Sequence, residues 1–170
     1  QDPEDWWRAS VAAIRKVLGS VEFGSQEIGA VSFSGQMHGA VLLDNEDNVL
    51  RPALLWCDQR TEKQCSKITE KIGAEQLIKL VSNPAITGFT LPKLLWVREN
   101  EPELWKQVRT VLLPKDYVRL CLTGDKVSDV SDSSGTLLFE VVNRRWSQEM
   151  LDAMEIGRDL MPEVFESIEV

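Results

Sequence analysis

A polar run at residues 128–136 carries the side chains that could most readily do acid–base chemistry. It holds two carboxylates, Asp129 and Asp132, among four serines, a glycine and a threonine. A carboxylate beside a substrate hydroxyl can accept its proton, and neighbouring hydroxyl and N–H groups can hold that carboxylate in place. Clusters of Ser and Asp more often form Asx turns or helix caps, in which the carboxylate only accepts hydrogen bonds from the backbone. The residue types alone leave both interpretations open.

A second polar segment, residues 34–39, follows an apolar stretch and places Gln36, Met37 and His38 between two glycines. The glycines allow a sharp turn and a close approach of the backbone, and α/β proteins commonly bind ligands where a strand ends. Gln36 and His38 would suit a ligand rich in hydroxyl groups. The alternative, which the local sequence favours, is a tight connection in which His38 satisfies a backbone carbonyl.

Segment 56–60 combines an aromatic ring with two opposite charges in the order Trp-Cys-Asp-Gln-Arg. Such a set could bind a ligand, but an Asp and an Arg this close more often form a hydrogen-bonded structural corner. We therefore expect Asp58 and Arg60 to support the fold.

The overall composition excludes several classes of function. The 170 residues include 19 Lys and Arg against 27 Asp and Glu, a net charge of −8, so we expect no nucleic-acid or membrane partner. A single histidine argues against the common zinc sites, and three cysteines without a CxxC pair argue against a disulfide framework and for a cytoplasmic protein. The nucleotide motifs GxxxxGK[ST] and GxGxxG are absent, and we expect no metal or cofactor site in this chain.

Helices alternate with short strands along the sequence, which predicts one α/β domain over residues 1–170. Helix signals include Asp2 before Pro3, and Thr61 with Gln64 in the pattern of a capping box. Helices are predicted at about 3–18, 61–72, 74–80, 92–99, 116–122 and 147–154, and strands at 28–33, 40–43, 49–55 and 108–113.

Five segments, taken in order, resemble the FGGY family of carbohydrate kinases. They are residues 35–39, 56–61, 88–100, 112–117 and 128–136. The third resembles the first signature of the family, with Lys93, Trp96 and the Glu99-Asn100 pair at the expected offsets. The Gln-Met-His-Gly sequence of the first is most similar to members that phosphorylate the ketopentose xylulose, and less so to glycerol or gluconate kinases.

The resemblance implies a ribonuclease-H-like domain of the actin-like ATPase superfamily, with a mixed sheet and flanking helices. It also implies a two-domain enzyme that binds ATP, Mg²⁺ and the sugar in the cleft between its domains. This chain would form most of the first domain. We expect a further strand and phosphate loop before Gln1 and the ATP-binding domain after residue 170, so that the chain alone binds no cofactor and is inactive. The resemblance allows a homodimer.

The resemblance also assigns roles to individual residues. Asp129 opens the Asp-x-Ser/Thr-Asp/Asn run, the position of the catalytic base in the family pattern. Asp132 stands where the family also accepts Asn, so it is expected to bind the sugar or hold the loop. Gln36, Met37 and His38 are expected to contact the ketopentose substrate, His38 through a ring nitrogen and Met37 through its backbone and apolar bulk.

Two other functions stay open at this point. One is another FGGY kinase that acts on a different sugar or polyol. The other is an α/β binding module that transfers no phosphoryl group.

Overall fold

The computed structural model describes residues 1–22 and 24–169. The helices are α1 (Pro3–Leu18), α2 (Glu62–Ile72), α3 (Ala74–Val81), α4 (Thr90–Asn100), α5 (Pro102–Trp105), α6 (Pro114–Thr123), α7 (Val130–Ser133) and α8 (Gln148–Met154). The strands are β1 (Val41–Leu43), β2 (Thr110–Leu112), β3 (Val127–Asp129), β4 (Phe139–Glu140), β5 (Arg145–Trp146) and β6 (Glu163–Phe165). Short 3-10 turns lie at Ser25–Glu27, Ser134–Thr136 and Arg158–Leu160.

The strands form three pairs of mixed direction. β1 runs antiparallel to β2, with Leu42 opposite Val111, and β4 runs antiparallel to β5. β3 runs parallel to β6, with Ser128 opposite Val164. The parallel pair was not predicted, because residues 163–165 are too few to show a strand pattern and their partner is distant in sequence.

The β1–β2 ladder is buried on both faces and separates two apolar clusters. Side chains alternate between the faces of a strand. Leu42 therefore joins the main cluster with α2, α3, α4 and α8, whereas Val41 and Leu43 join a smaller cluster with Tyr117 and part of α1. Helices packed on both sides of a ladder give the layered α/β arrangement that the sequence predicts.

The predicted helices are confirmed, but one predicted cap is wrong. The Asp2 carboxylate accepts a hydrogen bond from the Glu4 N–H at 3.0 Å and caps α1 as expected. At α2 no side chain caps the helix. The Thr61 hydroxyl instead donates to the carbonyl of Thr87 at 3.3 Å, and the Gln64 amide donates to Glu99 at 2.8 Å. Tertiary partners thus displace the local capping box.

The strand predicted at 28–33 is wrong, and the one at 49–55 is reduced to single bridges. Residues 28–33 form no ladder within the described part of the chain, and Val31 is 60% exposed. Apolar and β-branched residues favour an extended backbone, but a strand also needs a hydrogen-bonded neighbour. In 49–55, Val49 bridges Leu43 and Leu54 bridges Ala40. Pro52 lies between them and has no N–H to continue a ladder.

Within residues 1–22 and 24–169, no helix has the length and apolar character needed to cross a membrane.

Candidate functional site

The structure brings the two predicted site segments, 34–39 and 128–136, into direct contact. The His38 Nδ1 lies 3.0 Å from the carbonyl oxygen of Gly135, 97 residues away in sequence. A Cβ atom at Gly135 would collide with the His38 ring and would lie 2.8 Å from Cε of Met37. Only glycine fits at this position, since the ring occupies the space of a side chain.

The hydrogen bond of His38 fixes which ring nitrogen carries a proton. A carbonyl oxygen only accepts, so Nδ1 must donate, and in a neutral ring Nε2 is then an acceptor. The ring also packs against Phe89, with centroids 4.9 Å apart. The bond to Gly135 is the contact that the structural interpretation of His38 predicted. It leaves Nε2 able to accept a hydrogen bond from a hydroxyl group.

The backbone of His38 adopts the left-handed conformation, with φ at 66°. Its carbonyl oxygen accepts two hydrogen bonds from α4, from Thr90 Oγ1 and from Lys93 Nζ, both at 3.1 Å. The sequence predicted neither contact.

Asp129 and Asp132 lie around one buried cation, Lys115. The Lys115 Nζ is 2.6 Å from Asp129 Oδ1, 3.0 Å from Asp116 Oδ1 and 3.2 Å from Asp132 Oδ2. We call these four residues the Lys115 cluster. Arg119 lies 3.0 Å from Asp116 and brings a second positive charge to its buried side. Burial raises the pKa of Asp116 even though Lys115 opposes it.

Both oxygens of the Asp129 carboxylate accept hydrogen bonds. Its Oδ1 accepts from Lys115, and its Oδ2 accepts from the Ser131 N–H and from the Ser167 hydroxyl. Burial alone would raise the pKa of Asp129, but the hydrogen bonds from Lys115 and Ser167 outweigh it and hold the pKa below its usual value. The carboxylate is therefore ionised at neutral pH. It also caps α7, which is the contact expected from the structural interpretation of this loop.

Asp132 has a freer carboxylate. Its Oδ2 lies within ion-pair distance of Lys115 but outside hydrogen-bond geometry, and no described residue donates a hydrogen bond to it. A buried oxygen of this kind can still accept a hydrogen bond.

The predicted site residues do not share one cavity. Asp129 and Lys115 line a cleft of about 560 Å³ that lies between residues 31–33 and the β3–β6 pair. Gln36 lines a second hollow of about 260 Å³, which shares Phe33 and Lys115 with the first. Met37, His38 and Asp132 line neither of them.

Segment 56–60 forms the structural corner that the sequence predicts. The Asp58 carboxylate accepts from the Arg60 N–H at 3.0 Å and from its Nε at 2.9 Å. The guanidinium group lies over Trp96, 4.8 Å from the ring centroid.

The described residues form no all-protein metal site. No group of three or more His, Cys, Asp or Glu side chains in residues 1–22 and 24–169 could hold one. The three carboxylates that lie closest together surround the Lys115 ammonium, which occupies the position that a metal ion would need. We therefore assign no step to Mg²⁺ in this chain.

Comparison with known proteins connects this geometry to a family. The pattern of the FGGY family of carbohydrate kinases, N-terminal domain, matches residues 1–170. The chain belongs to this family. It is 45% identical over 172 residues to the xylulose kinase of Lactococcus lactis and 45% identical over 170 residues to that of Escherichia coli. The two alignments include 98% and 100% of this chain but only 33% and 34% of the two relatives. The chain therefore spans about a third of their length.

A solved FGGY structure supports the fold as well. The crystal structure of a "xyloylose kinase" from Brucella ovis superposes with a TM-score of 0.92 at 42% identity, over 98% of this chain and 34% of that one. The ribonuclease-H-like fold of the actin-like ATPase superfamily, implied by the sequence resemblance, is confirmed.

In this FGGY domain, sequence reasoning assigned no role to three residues that organise the site: Lys115, Lys93 and Thr90. One signal was available for Lys115. It follows Pro114 in the first turn of α6, where the helix dipole disfavours a cation. A lysine at such a position needs anionic partners, which identifies it as a candidate but does not reveal that Asp129 and Asp132 are those partners.

Proposed function

We propose that this chain is the sugar-binding part of an ATP-dependent kinase that converts D-xylulose to D-xylulose 5-phosphate. Residues 1–170 would form most of the N-terminal domain of that enzyme. The observation that carries the proposal is the contact between His38 and the loop that holds Asp129 and Asp132. It occurs in a chain 45% identical to proteins named xylulose kinase.

The polar groups of the two segments suit a hydroxyl-rich ketopentose. His38 would accept a hydrogen bond from a sugar hydroxyl at Nε2, while Gln36 and Asp132 would supply further polar contacts. Met37 would pack its apolar side chain against the carbon skeleton of the sugar. The sugar carries no net charge, so its binding by these side chains requires no additional positively charged residue.

Asp129 would orient the attacking hydroxyl group and accept its proton. ATP, held by other parts of the enzyme, would supply the phosphoryl group. In phosphoryl transfer the protein mainly positions the reactants, and an ionised carboxylate beside the hydroxyl serves that purpose. The lowered pKa of Asp129 supports the ionised state, and its position on the wall of the larger cleft supports access. Each carboxylate oxygen has two acceptor sites, so the bond from Lys115 leaves room for a substrate hydroxyl.

The proposal extends to location. The three cysteines lie in the described part of the chain and are all free, which supports a reducing compartment and hence the cytoplasm.

The test is His38→Ala in the full-length enzyme, assayed with ATP and a panel of ketoses and polyols. Loss of a polar partner for a desolvated hydroxyl costs roughly 1 to 3 kcal/mol, so kcat/KM for xylulose should fall about fivefold to more than a hundredfold. Lys79→Ala, on the exposed side of α3, is the control and should leave it unchanged. An unchanged kcat/KM in the His38 variant would refute the sugar contact. Preferred turnover of another sugar or polyol by the unmodified enzyme would point to a different FGGY activity.

A further inference from the structure

Lys93 is completely buried and holds three backbone carbonyl groups. Its Nζ donates to the carbonyl oxygens of His38 at 3.1 Å, Phe89 at 2.8 Å and Gly88. Within residues 1–22 and 24–169, Lys93 forms no ion pair, and the Asp58 carboxylate favours its charged form only through space. The ammonium therefore connects the segment before α4 to the backbone of His38.

Burying the charge of a lysine at this position costs free energy. Burial disfavours the charged form and lowers the pKa of Lys93 to about 8. The side chain of a helical residue points back towards the N-terminus, where the helix dipole also disfavours a cation. An apolar side chain such as methionine would fill the space with no charge to bury, but it would remove the ammonium donor from all three carbonyl groups and leave that of His38 with the Thr90 hydroxyl.

The carbonyl groups that Lys93 binds have few other donors. Pro92, four residues after Gly88, has no N–H to give to the Gly88 carbonyl. Among the described residues, the His38 carbonyl accepts a side-chain hydrogen bond only from the Thr90 hydroxyl besides that from Lys93. His38 itself has a positive φ, a conformation that persists in a non-glycine residue only where its surroundings hold it.

We propose that Lys93, assisted by Thr90, is a positioning residue that fixes the backbone of His38 and thereby aims its ring at the sugar. The inference rests on the proposed function, because it takes His38 as a sugar contact. Two sets of contacts fix the orientation of the His38 ring. Lys93 and Thr90 hold the carbonyl of His38 on one side, and Gly135 binds Nδ1 on the other.

The experiment uses the full-length enzyme and a double-mutant cycle between Lys93→Met and His38→Ala. If Lys93 acts through His38, Lys93→Met should lower kcat/KM for xylulose about tenfold, the effect expected of one misplaced hydrogen-bonding group, and leave the KM for ATP unchanged. The double variant should be no worse than His38→Ala, since residues that act through one another are not additive. Lys79→Met serves as the exposed control.

Thr90→Val provides a second, milder variant in case Lys93→Met does not fold. It removes only the hydroxyl that donates to His38 and keeps the shape of the side chain. We expect a loss in kcat/KM for xylulose that is smaller than tenfold and again absent in the His38→Ala background. Circular dichroism of each variant confirms that it is folded.

The outcomes separate this inference from the proposed function. Additive effects of Lys93→Met and His38→Ala, or equal increases in the KM for xylulose and for ATP, would overturn the positioning role and leave the kinase assignment standing. If His38→Ala alone had no effect on xylulose turnover, the sugar contact would fail and the positioning role with it. A folded Thr90 or Lys93 variant with unchanged kcat/KM for xylulose would also refute the inference.

Discussion

Replacing Asp129 with Asn separates its proposed chemical role from its structural one. Asn has nearly the same shape and can still accept the hydrogen bond from the Ser131 N–H that caps α7, since Asn and Asp are equally good caps. It cannot take up a proton as a base. Ala would remove both functions at once and would not distinguish them.

The structure sets the expected effect on stability. Asp129→Asn removes the negative charge opposite Lys115, but the ammonium keeps Asp116 at 3.0 Å and Asp132 at 3.2 Å. Because the buried cation is not left unpaired, the loss should be about 1.5 to 3 kcal/mol, the range for one hydrogen bond to a charged group. Removing a sole buried partner would cost more, about 3 to 5 kcal/mol. The pKa of Asp129 is lowered in the fold, so this contribution is present at neutral pH and is lost as the pH falls below about 4.

The assay compares kcat for xylulose in full-length Asp129→Asn and Asp132→Asn, with urea unfolding of both. Loss of a positioned base should lower kcat by about 10² or more in the Asp129 variant, and Asp132→Asn should do much less. A normal kcat together with the predicted loss of stability would show that Asp129 is a cap and ion-pair partner only. Reversed effects would move the base to Asp132.

Three further predictions concern the surroundings of the site. Gly135→Ala would push a methyl group into the His38 ring and should lower kcat/KM for xylulose about tenfold or more. Gly29→Ala is the control, because a methyl group there meets open space, and it should leave kcat/KM unchanged. Steady-state kinetics of both variants test this prediction. Lys115→Met leaves Asp129 and Asp132 without a cationic partner, while Asp116 keeps Arg119, and should reduce the free energy of unfolding by about 3 to 5 kcal/mol near pH 7. That loss should shrink as the pH falls and the carboxylates take up protons, and urea titrations that show no such recovery would contradict it. Burial lowers the pKa of Lys93 to about 8, so between there and about pH 10.4 this side chain binds more protons in the unfolded chain, and its contribution to the free energy of unfolding should rise by at most about 3 kcal/mol. Burial raises the pKa of Cys65 and Cys121, which acts in the opposite direction in the same window, so the contribution of Lys93 is the difference in urea unfolding between the unmodified enzyme and Lys93→Met at both ends of the window. A difference that does not grow with pH would contradict the prediction.

Features that depend on neighbours in sequence could be predicted. The Asp2-Pro3 start and the glycine after Leu18 define α1 without any tertiary contact, and the apolar spacing of the other helices is likewise local. Features that depend on distant partners could not. Residues 28–33 have strand composition but no partner in the described chain, and β6 has a partner in β3 but almost no pattern of its own.

The same distinction explains which parts of the candidate site the sequence could supply. It identified both polar segments but not their contact, because that contact depends on the fit of a histidine ring against a glycine 97 residues away. The sequence contains Lys93 and Lys115, but no local pattern predicts that either lysine is buried near the start of its helix, α4 or α6. The structure supplies the reason: one cation holds backbone carbonyls that include that of His38, and the other holds carboxylates that include Asp129. Each is costly to bury alone, so a lysine near the start of a buried helix is a sequence signal that partners exist, and only the fold tells which segments provide them.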